Sequence, residues 1–586
     1  DDSIEDITVD GGVSADTFSL DDNAARTNIV GGQGNDVVQV GQVYGLADCE
    51  PDNRAEGACS IATDPDSVRG AAVGVDPGDT FATTVITRGH LSNGVTHQLV
   101  IDGGGDDDTI TIFANNAEVT ANGDAGNDRF VARAFILTSS VTLNGNGGID
   151  DFSYVVNDQL NIDGGAGVDT FTVVGTEADD GFIIDVDALG RPTVLVCPID
   201  DATGRPDEAG GCAITALIDG VEVFAALGLE GDDVFWIRGT VGSSLVELSG
   251  GKNSDRFLIG DGTLDDIDGP VVSSGDDAGE VPAMPDPVVL PGEDDTPAFA
   301  PVVTGGTARG DVLEVDASAD LAGLVGEIRA TNVRGLGMAP GPFSIGTGVG
   351  SLSVTEVLQF SDLEFESITT GSGLDEVTIS STHVGNVVCD ADGCPLELFT
   401  GDGDDLVDVQ SINGESIIDL GNDDDTATVG EPATAGDVLD AIDAGLAVMG
   451  GAGDDTVDLD DTADSSTRID IDPGVITEAG LSDDGVTHTA VETVNVRLGT
   501  GSDTANVRGT AEDATGGTHV YGHAGNERFY VSSSAAYGIA TTEDHLGGHL
   551  DDVSGPLFVH GGGGDSNQLM ISDREAVGGD TGVTYD

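Results

Sequence analysis

Short runs in which every second residue is apolar recur along the whole chain. "VTLNG" (141–145), "LNIDG" (160–164), "TFTV" (170–173) and "SIIDLG" (416–421) are examples. A period of two is that of a half-buried β-strand. Helical periodicity is scarce: no long amphipathic helix is predicted, and no apolar run is long enough to cross a bilayer. Between the strand-like runs sit Gly- and Asp-rich hinges, which are turn signals.

The hinges follow a rule. The pattern is Gly-x-x-Gly-x-Asp, then x-apolar-x-apolar. It reads "GNDVVQV" with Asp36, "GGGDDDTITI" with Asp108, "GDAGNDRFVA" with Asp128, "GNGGIDDFSY" with Asp150 and "GGAGVDTFTV" with Asp169. Asp16, Asp233, Asp255, Asp375, Asp405, Asp425, Asp455 and Asp503 occupy the same place in further copies. From Asp108 to Asp169 the steps are 19–22 residues. Each period holds two strands and two turns, one of them the Gly/Asp hinge. Such a unit cannot bury its apolar face alone; stacked in parallel, its copies bury a continuous core. The predicted fold is all-β: an elongated parallel β-solenoid, β-helix- or β-roll-like, with two strands per roughly 20-residue rung and loop and hairpin inserts. About 20 rungs at about 4.8 Å each would make a rod near 100 Å long. One hinge per rung places the hinges on a single edge.

A longer period lies above this one. A Glu stands 11 residues before the motif Asp in four places: Glu5/Asp16, Glu222/Asp233, Glu364/Asp375 and Glu492/Asp503. Residues 261–302 hold seven of the 19 prolines and little alternation. They divide the chain into a first solenoid block at 1–260, with inserts near 45–95 and 195–215, a linker or excursion at 261–302, and a second block at 303–586. The chain opens and stops in mid-pattern, so a longer array is expected.

Composition narrows the function. Of 586 residues, 108 are acidic and 19 basic, a formal net charge of −89. Lys252 is the single Lys; the other basic residues are Arg. Such a surface repels nucleic acids and anionic membranes. Bound cations or high salt must offset the charge. The six cysteines form three close pairs, Cys49/Cys59, Cys197/Cys212 and Cys389/Cys394. Disulfides closing small loops are expected, hence an oxidising, extracellular setting. The rival, a metal site, has too few ligands in Cys-x4-Cys.

In-register hinges stack carboxylates about 4.8 Å apart. Ca2+ fits there, because it takes six to eight oxygens from Asp carboxylates and turn carbonyls. The candidate ligands are Asp16, Asp36, Asp108, Asp128, Asp150, Asp169, Asp233, Asp255, Asp405, Asp425 and Asp455. Asp and Asn after Gly are also ordinary turn formers, which needs no ion.

"GGQGND" (31–36), "GDAGND" (123–128), "GGAGVD" (164–169) and "GGAGDD" (450–455) resemble the Gly-Gly-x-Gly-x-Asp core of the repeats-in-toxin (hemolysin-type) calcium-binding family. The resemblance is to a degenerate form, as in large bacterial extracellular surface proteins. It implies a parallel β-roll with Ca2+ between successive turns, in secreted or surface-attached proteins. That family repeats every nine residues and carries motifs on both edges; here the period is about 20, and Glu527 in "GHAGNERF" replaces the Asp.

No Gly-x-Ser-x-Gly, phosphate loop or dinucleotide fingerprint is present. "DD" pairs are too common to mark a glycosidase. His519 and His523 in "THVYGH" and His545 and His549 in "DHLGGHLDD" are the tightest histidine groups. His519, Tyr521 and His523 would share one strand face, where a Zn site is conceivable against a plain surface role. The expectation is a non-enzymatic, secreted structural protein: a Ca2+-stabilised building block of a filament, sheath or surface adhesin. End-to-end self-association is its expected partnership. A carbohydrate-binding or carbohydrate-modifying β-helix and a calcium-dependent adhesin binding a polysaccharide or cell surface through its inserts are the alternatives.

Overall fold

The computed structural model describes residues 5–41, 43–45, 83–86, 89–137, 139–155, 160–175, 179–200, 202–212, 216–275, 310–346, 350–383, 394–430, 439–465, 468–478, 481–482, 484–536 and 547–576. Two compact units emerge. One comprises Asp1–Gly260, Asp265–Val312 and Ala339–Asp362; the other Asp261–Leu264, Leu313–Met338 and Leu363–Asp586.

In the first unit the alternating runs become two parallel sheets. One stacks Asp6–Gly12, Arg26–Gln33, Leu99–Gly105, Val119–Ala125, Val141–Gly147, Leu160–Asp163 and Ala216–Asp219. The other stacks Thr17–Leu20, Val37–Val40, Thr109–Asn115, Arg129–Leu137, Asp151–Val155, Thr170–Val174, Val223–Glu230 and Leu245–Lys252. The chain passes from one sheet to the other at every hinge. This is the parallel β-solenoid the repeat predicts. No α-helix occurs among the described residues, only the 3-10 turns Glu208–Gly210 and Leu439–Ala441.

The inward face follows the alternation. Leu99, Ile101, Val119, Ala121, Val141, Leu143, Leu160 and Ile162 are all buried. Because registry is preserved, like residues stack. Phe130 lies over Phe152 with ring centroids 4.7 Å apart, and Phe182, Phe235 and Phe257 follow at 4.8 and 5.2 Å. Burying one such ring contributes roughly 1.5–3 kcal/mol, and each stacked pair about 0.5–1.5 kcal/mol more.

A hairpin then changes the phase. Gly181–Val186 and Pro192–Cys197 pair antiparallel, and Pro192–Cys197 pairs antiparallel with Ala216–Asp219. Beyond it Gly181–Val186, Val234–Ile237 and Arg256–Ile259 are parallel neighbours. The extra strands reverse the order in which the chain visits the sheets. Before the hairpin a motif hinge leads from the first sheet to the second; after it, from the second to the first. The disulfide Cys197–Cys212 closes the loop beside the hairpin. Cys394 is also disulfide-bonded, while Cys49, Cys59 and Cys389 lie outside the described residues.

The second unit repeats the scheme. Phe365–Thr369, Leu396–Phe399, Ser416–Asp419, Leu446–Met449 and Val486–Thr489 form one parallel stack. Glu376–Ile379, Leu406–Val409, Thr426–Val429, Thr456–Asp460, Thr493–Arg497, Gly517–Tyr521 and Leu557–His560 form the other. The hairpin Arg468–Asp472/Val475–Glu478 again precedes a change of phase.

The Pro-rich segment expected at 261–302 divides differently. Leu264 and Ile267 are buried, and Val271–Ser274 is a solenoid strand. Residues 276–309 lie outside the described residues. The residues flanking them meet in one hinge: a Cβ on Gly275 would stand 2.1 Å from Asp311 Oδ2. Gly275 and Asp311 thus belong to one turn of the first unit.

Candidate functional site

Each motif Asp stands just before a strand, with its side chain folded inward beneath the hinge. Its Oδ1 accepts the backbone N–H of the corresponding residue one rung earlier. The series runs Asp16 to Asp36 (2.7 Å), Asp36 to Asp108 (2.7 Å), Asp108 to Asp128, Asp128 to Asp150 and Asp150 to Asp169 (2.8 Å each). It closes on Glu222, whose Oε2 accepts the Asp169 N–H at 3.0 Å. A second series in the same unit joins Asp180, Asp233, Asp255 and Asp311 at 2.7–2.8 Å. In the second unit Asp375, Asp405, Asp425 and Asp455 form a third, ending on Glu492 at 2.9 Å. A fourth joins Asp503 to Glu527 and Glu527 to Asn567.

All eleven predicted aspartates therefore stand in ladders, but not in one. The single-edge expectation is corrected. In each unit the hairpin reverses the phase, so one ladder follows each of the two hinge edges. Two of the four glutamates 11 residues ahead of a motif Asp acquire a role here. Glu222 and Glu492 each occupy the Asp position on the last rung before the switch, reaching the same N–H with one more methylene. The sequence reading missed Asp180 and Asp311. Gly175 and Gly275 stand in the hinges of both, but the first lacks the second glycine and the second is split by the long excursion.

The glycines follow from this geometry. At the first motif position a Cβ would collide with the carboxylate: 2.3 Å from Asp36 Oδ2 at Gly31, 2.2 Å from Asp150 Oδ2 at Gly145 and 2.1 Å from Asp233 Oδ2 at Gly228. The second position turns the corner at positive φ, +108° at Gly32 and +110° at Gly104, where L-residues are strained.

Burial gives the ladders their chemistry. Asp36, Asp108, Asp128, Asp150, Asp169, Asp233, Asp375, Asp405, Asp425 and Asp455 are at most 2% exposed. In each, Oδ2 is buried and, apart from Asp405 beside the Thr400 hydroxyl, has no hydrogen-bond partner among the described residues. The carbonyl of the next rung turns toward the same cradle. The point a Cβ on Gly31 would fill lies 2.3 Å from Asp36 Oδ2 and 2.5 Å from Gly103 O; at Gly145 the distances are 2.2 Å to Asp150 Oδ2 and 2.4 Å to Gly164 O. Two acceptors face each other with no donor between them. Burial, with neighbouring carboxylates adding to it, raises the acids: Asp128 and Asp150 to about 6, Asp108, Asp405 and Asp425 to about 7, and Asp233 to about 9. Either a proton or a cation relieves such a site.

The donor set is oxygen only, which fits a hard cation such as Ca2+. The fit is uneven. In the second unit Thr370 and Thr400 occupy the first motif position. Their hydroxyls donate to Thr400 O and Leu420 O at 2.8 and 2.7 Å. Those carbonyls correspond to the ones left facing carboxylate in the first unit.

A second, exposed row flanks the ladder at the residue before each motif Asp. Asp107 Oδ1 accepts from Asn127 N, and Asn127 Oδ1 from Ile149 N, at 2.8 and 2.9 Å. Asp232, Asp424 and Asp454 continue the pattern elsewhere. Ile149 and Val168 interrupt it where the hairpin Phe343–Ile345/Leu352–Val354 packs. A Cβ on Gly346 would stand 2.4 Å from Val168, and one on Gly350 3.0 Å from Ile149. Elsewhere, Asp461, Asp464 and Glu478 bring carboxylate oxygens within 4.8 Å of one another. Of the histidines, His549 lies 3.7–3.8 Å from Asp551 and Asp552; His545 is outside the described residues.

The two functions of Oδ1 and Oδ2 separate in a simple pair of variants. Asp150→Ala strands the buried Asp128 N–H and is expected to cost about 1–3 kcal/mol. Asp150→Asn keeps that acceptor and sets an NH2 donor opposite Gly164 O, so in the absence of divalent ions it should equal or exceed the parent in stability. Urea unfolding in EDTA reads the difference. Equal damage from both would show that the acceptor role of Oδ1 is unimportant.

The molecule is thus a parallel β-solenoid protein whose hinge edges carry ladders of buried carboxylates. No protein-family model matches the chain, and no curated protein is similar to it.

Proposed function

We propose that the chain is an extracellular structural protein, a building block of a filament, sheath or surface adhesin, whose hinges are locked by Ca2+. The observation that carries this reading is the in-register ladder of buried aspartates with an unpartnered Oδ2 beside a neighbouring carbonyl. Nothing in such an arrangement performs turnover; it stores unmet demand for positive charge, which a divalent ion between rungs would satisfy. Ca2+ suits it better than Mg2+, which demands near-ideal octahedral geometry and keeps its waters. The resemblance of "GGQGND" and "GGAGDD" to the repeats-in-toxin motif supports the same ion. An oxidising setting agrees with the Cys197–Cys212 disulfide. No helix among the described residues is long and apolar enough to cross a membrane.

Unpaired strand edges at the ends of a solenoid favour stacking on another copy. The test is a Ca2+ titration of the chelated chain, followed by calorimetry, circular dichroism and electron microscopy. Saturable binding, with a gain in thermal stability and in assembly, is expected. Absence of binding at millimolar Ca2+ would end the calcium reading and leave the solenoid intact.

A further inference from the structure

Away from the ladders, the outward face of the second unit changes character over two rungs. His519 and Tyr521 point outward from Gly517–Tyr521, and Phe558 and His560 from Leu557–His560, since Thr518 and Val520 are buried between them. In register, His519 lies beside Phe558 and Tyr521 beside His560. The rings pack closely: His519 on Phe558 and Tyr521 on His560, both at 4.4 Å between centroids. This brings the two imidazoles together as offset parallel rings on neighbouring strands, centroids 5.7 Å apart and planes 7° from parallel, with His519 Nδ1 3.4 Å from His560 Nε2. The sequence pairs His519 with His523; the fold pairs it with a residue 41 positions away.

The tautomer of His519 is set by its other nitrogen. Nε2 lies 3.3 Å from Gly516 O, a pure acceptor, so Nε2 carries the hydrogen. Nδ1 therefore carries the bare lone pair, next to His560 Nε2. A backbone carbonyl holding one imidazole nitrogen while the other faces outward is the arrangement that orients metal-ligating histidines. Two imidazole nitrogens bound to one ion at about 2.0–2.1 Å stand roughly 3–3.5 Å apart, the spacing this pair already has, so rotation of the two rings about their side-chain torsions turns both lone pairs to one ion.

We infer that His519 and His560 form a surface site for a borderline transition-metal ion, Cu2+ or Zn2+, distinct in chemistry from the oxygen-only hinges. Imidazole selects such ions over Ca2+, and Cu2+ leads the affinity order. Water completes the coordination shell. The ring stack on Phe558 and Tyr521 fixes both ligands before the metal arrives, which lowers the ordering cost of binding.

The test uses the full chain with Cu2+ as probe, in millimolar Ca2+ to occupy carboxylates. Electron paramagnetic resonance counts the coordinated nitrogens, and competition with a chromophoric chelator gives the affinity. Phe replaces His as a ring that stacks but cannot ligate, and circular dichroism checks that each variant is folded. One tight Cu2+ with two nitrogen ligands is expected for the parent. His519→Phe and His560→Phe should each weaken it at least tenfold and leave one nitrogen or none. His523→Phe should leave it unchanged. A parent spectrum without nitrogen ligands, or equal affinity in the parent and both stack-preserving variants, would overturn the assignment.

Discussion

Gly148→Ala should be among the most damaging single substitutions in the first unit, at about 3 kcal/mol or more. Its Cβ would sit 1.5 Å from Gly126 O and 2.6 Å from Gly126 C, far inside contact distance, at a φ of +152°. The backbone cannot retreat. Gly126 N donates to Gly147 O at 3.2 Å and Gly148 N to Ala166 O at 3.0 Å, so the hinge is pinned to both neighbouring rungs. Widening one rung spacing breaks these bonds and drags the Asp128–Asp150–Asp169 ladder out of register. Gly190→Ala is the control. Gly190 also has a positive φ, +78°, yet a Cβ there meets nothing within 4 Å. That variant should cost only the conformational penalty, about 1–2 kcal/mol. Urea unfolding followed by circular dichroism compares them. Gly148→Ala no worse than Gly190→Ala would mean that the hinges are not closely stacked.

Much of this was legible in the sequence, because a solenoid writes its fold as local pattern. Alternation in "VTLNG" and "LNIDG" fixed both the strand type and the buried face, since Val141, Leu143, Leu160 and Ile162 can all point inward in only one register. The recurrence of Asp at a constant offset identified residues that share a ladder. The change of edge was hidden for a physical reason. It depends on a count of chain crossings, and a hairpin such as Gly181–Val186/Pro192–Cys197 adds crossings without altering the motif. Asp311 was hidden because its glycine partner, Gly275, lies 36 residues away in sequence. The pairing of His519 with His560 needs the rung register, which insertions between 521 and 557 obscure.

The motif's glycines also divide into two physical kinds that a consensus merges. At the second position Asp124, Asn146 and Leu229 take the same positive-φ corner that glycine usually occupies, and Asp423 takes the positive φ of the fourth. The corner is therefore demanding but not exclusive. At the first position the demand comes from the carboxylate lying over the α-carbon. Where Thr370 and Thr400 stand there, the turn has a different shape and supplies its own donor. Erosion of the motif in the second unit is thus a change of chemistry at the cradle, from an unmet acceptor pair to a carbonyl satisfied by a hydroxyl. The aspartate and its ladder bond persist unchanged through that substitution.

In EDTA, the chain should be more stable near pH 4–5 than near pH 8, the reverse of ordinary acid denaturation. The sign follows from proton linkage. Asp108, Asp405 and Asp425 titrate at about 7 in the folded chain, and Asp128 and Asp150 at about 6, against 3.8 when exposed. Between those limits the folded state holds more protons than the unfolded state, so stability falls as pH rises. The contribution is complete below about pH 4 and lost by about pH 7; Asp233, at about 9, extends the decline further. General repulsion from a net charge of −89 acts in the same direction. Two controls separate them. Salt screens repulsion between exposed charges but reaches buried groups poorly. Replacing Asp108, Asp128 and Asp150 together by Asn removes three titrating groups while keeping their Oδ1 acceptors, and should flatten the profile. Ca2+ at pH 8 should restore the lost stability, because it supplies the positive charge that protons supply at pH 4. Thermal midpoints measured across pH, with and without Ca2+, decide the matter. A midpoint in EDTA that rises from pH 4 to pH 8 would show that the ladder carboxylates are not buried under strain, and the account of the hinges as sites for positive charge would fall with it.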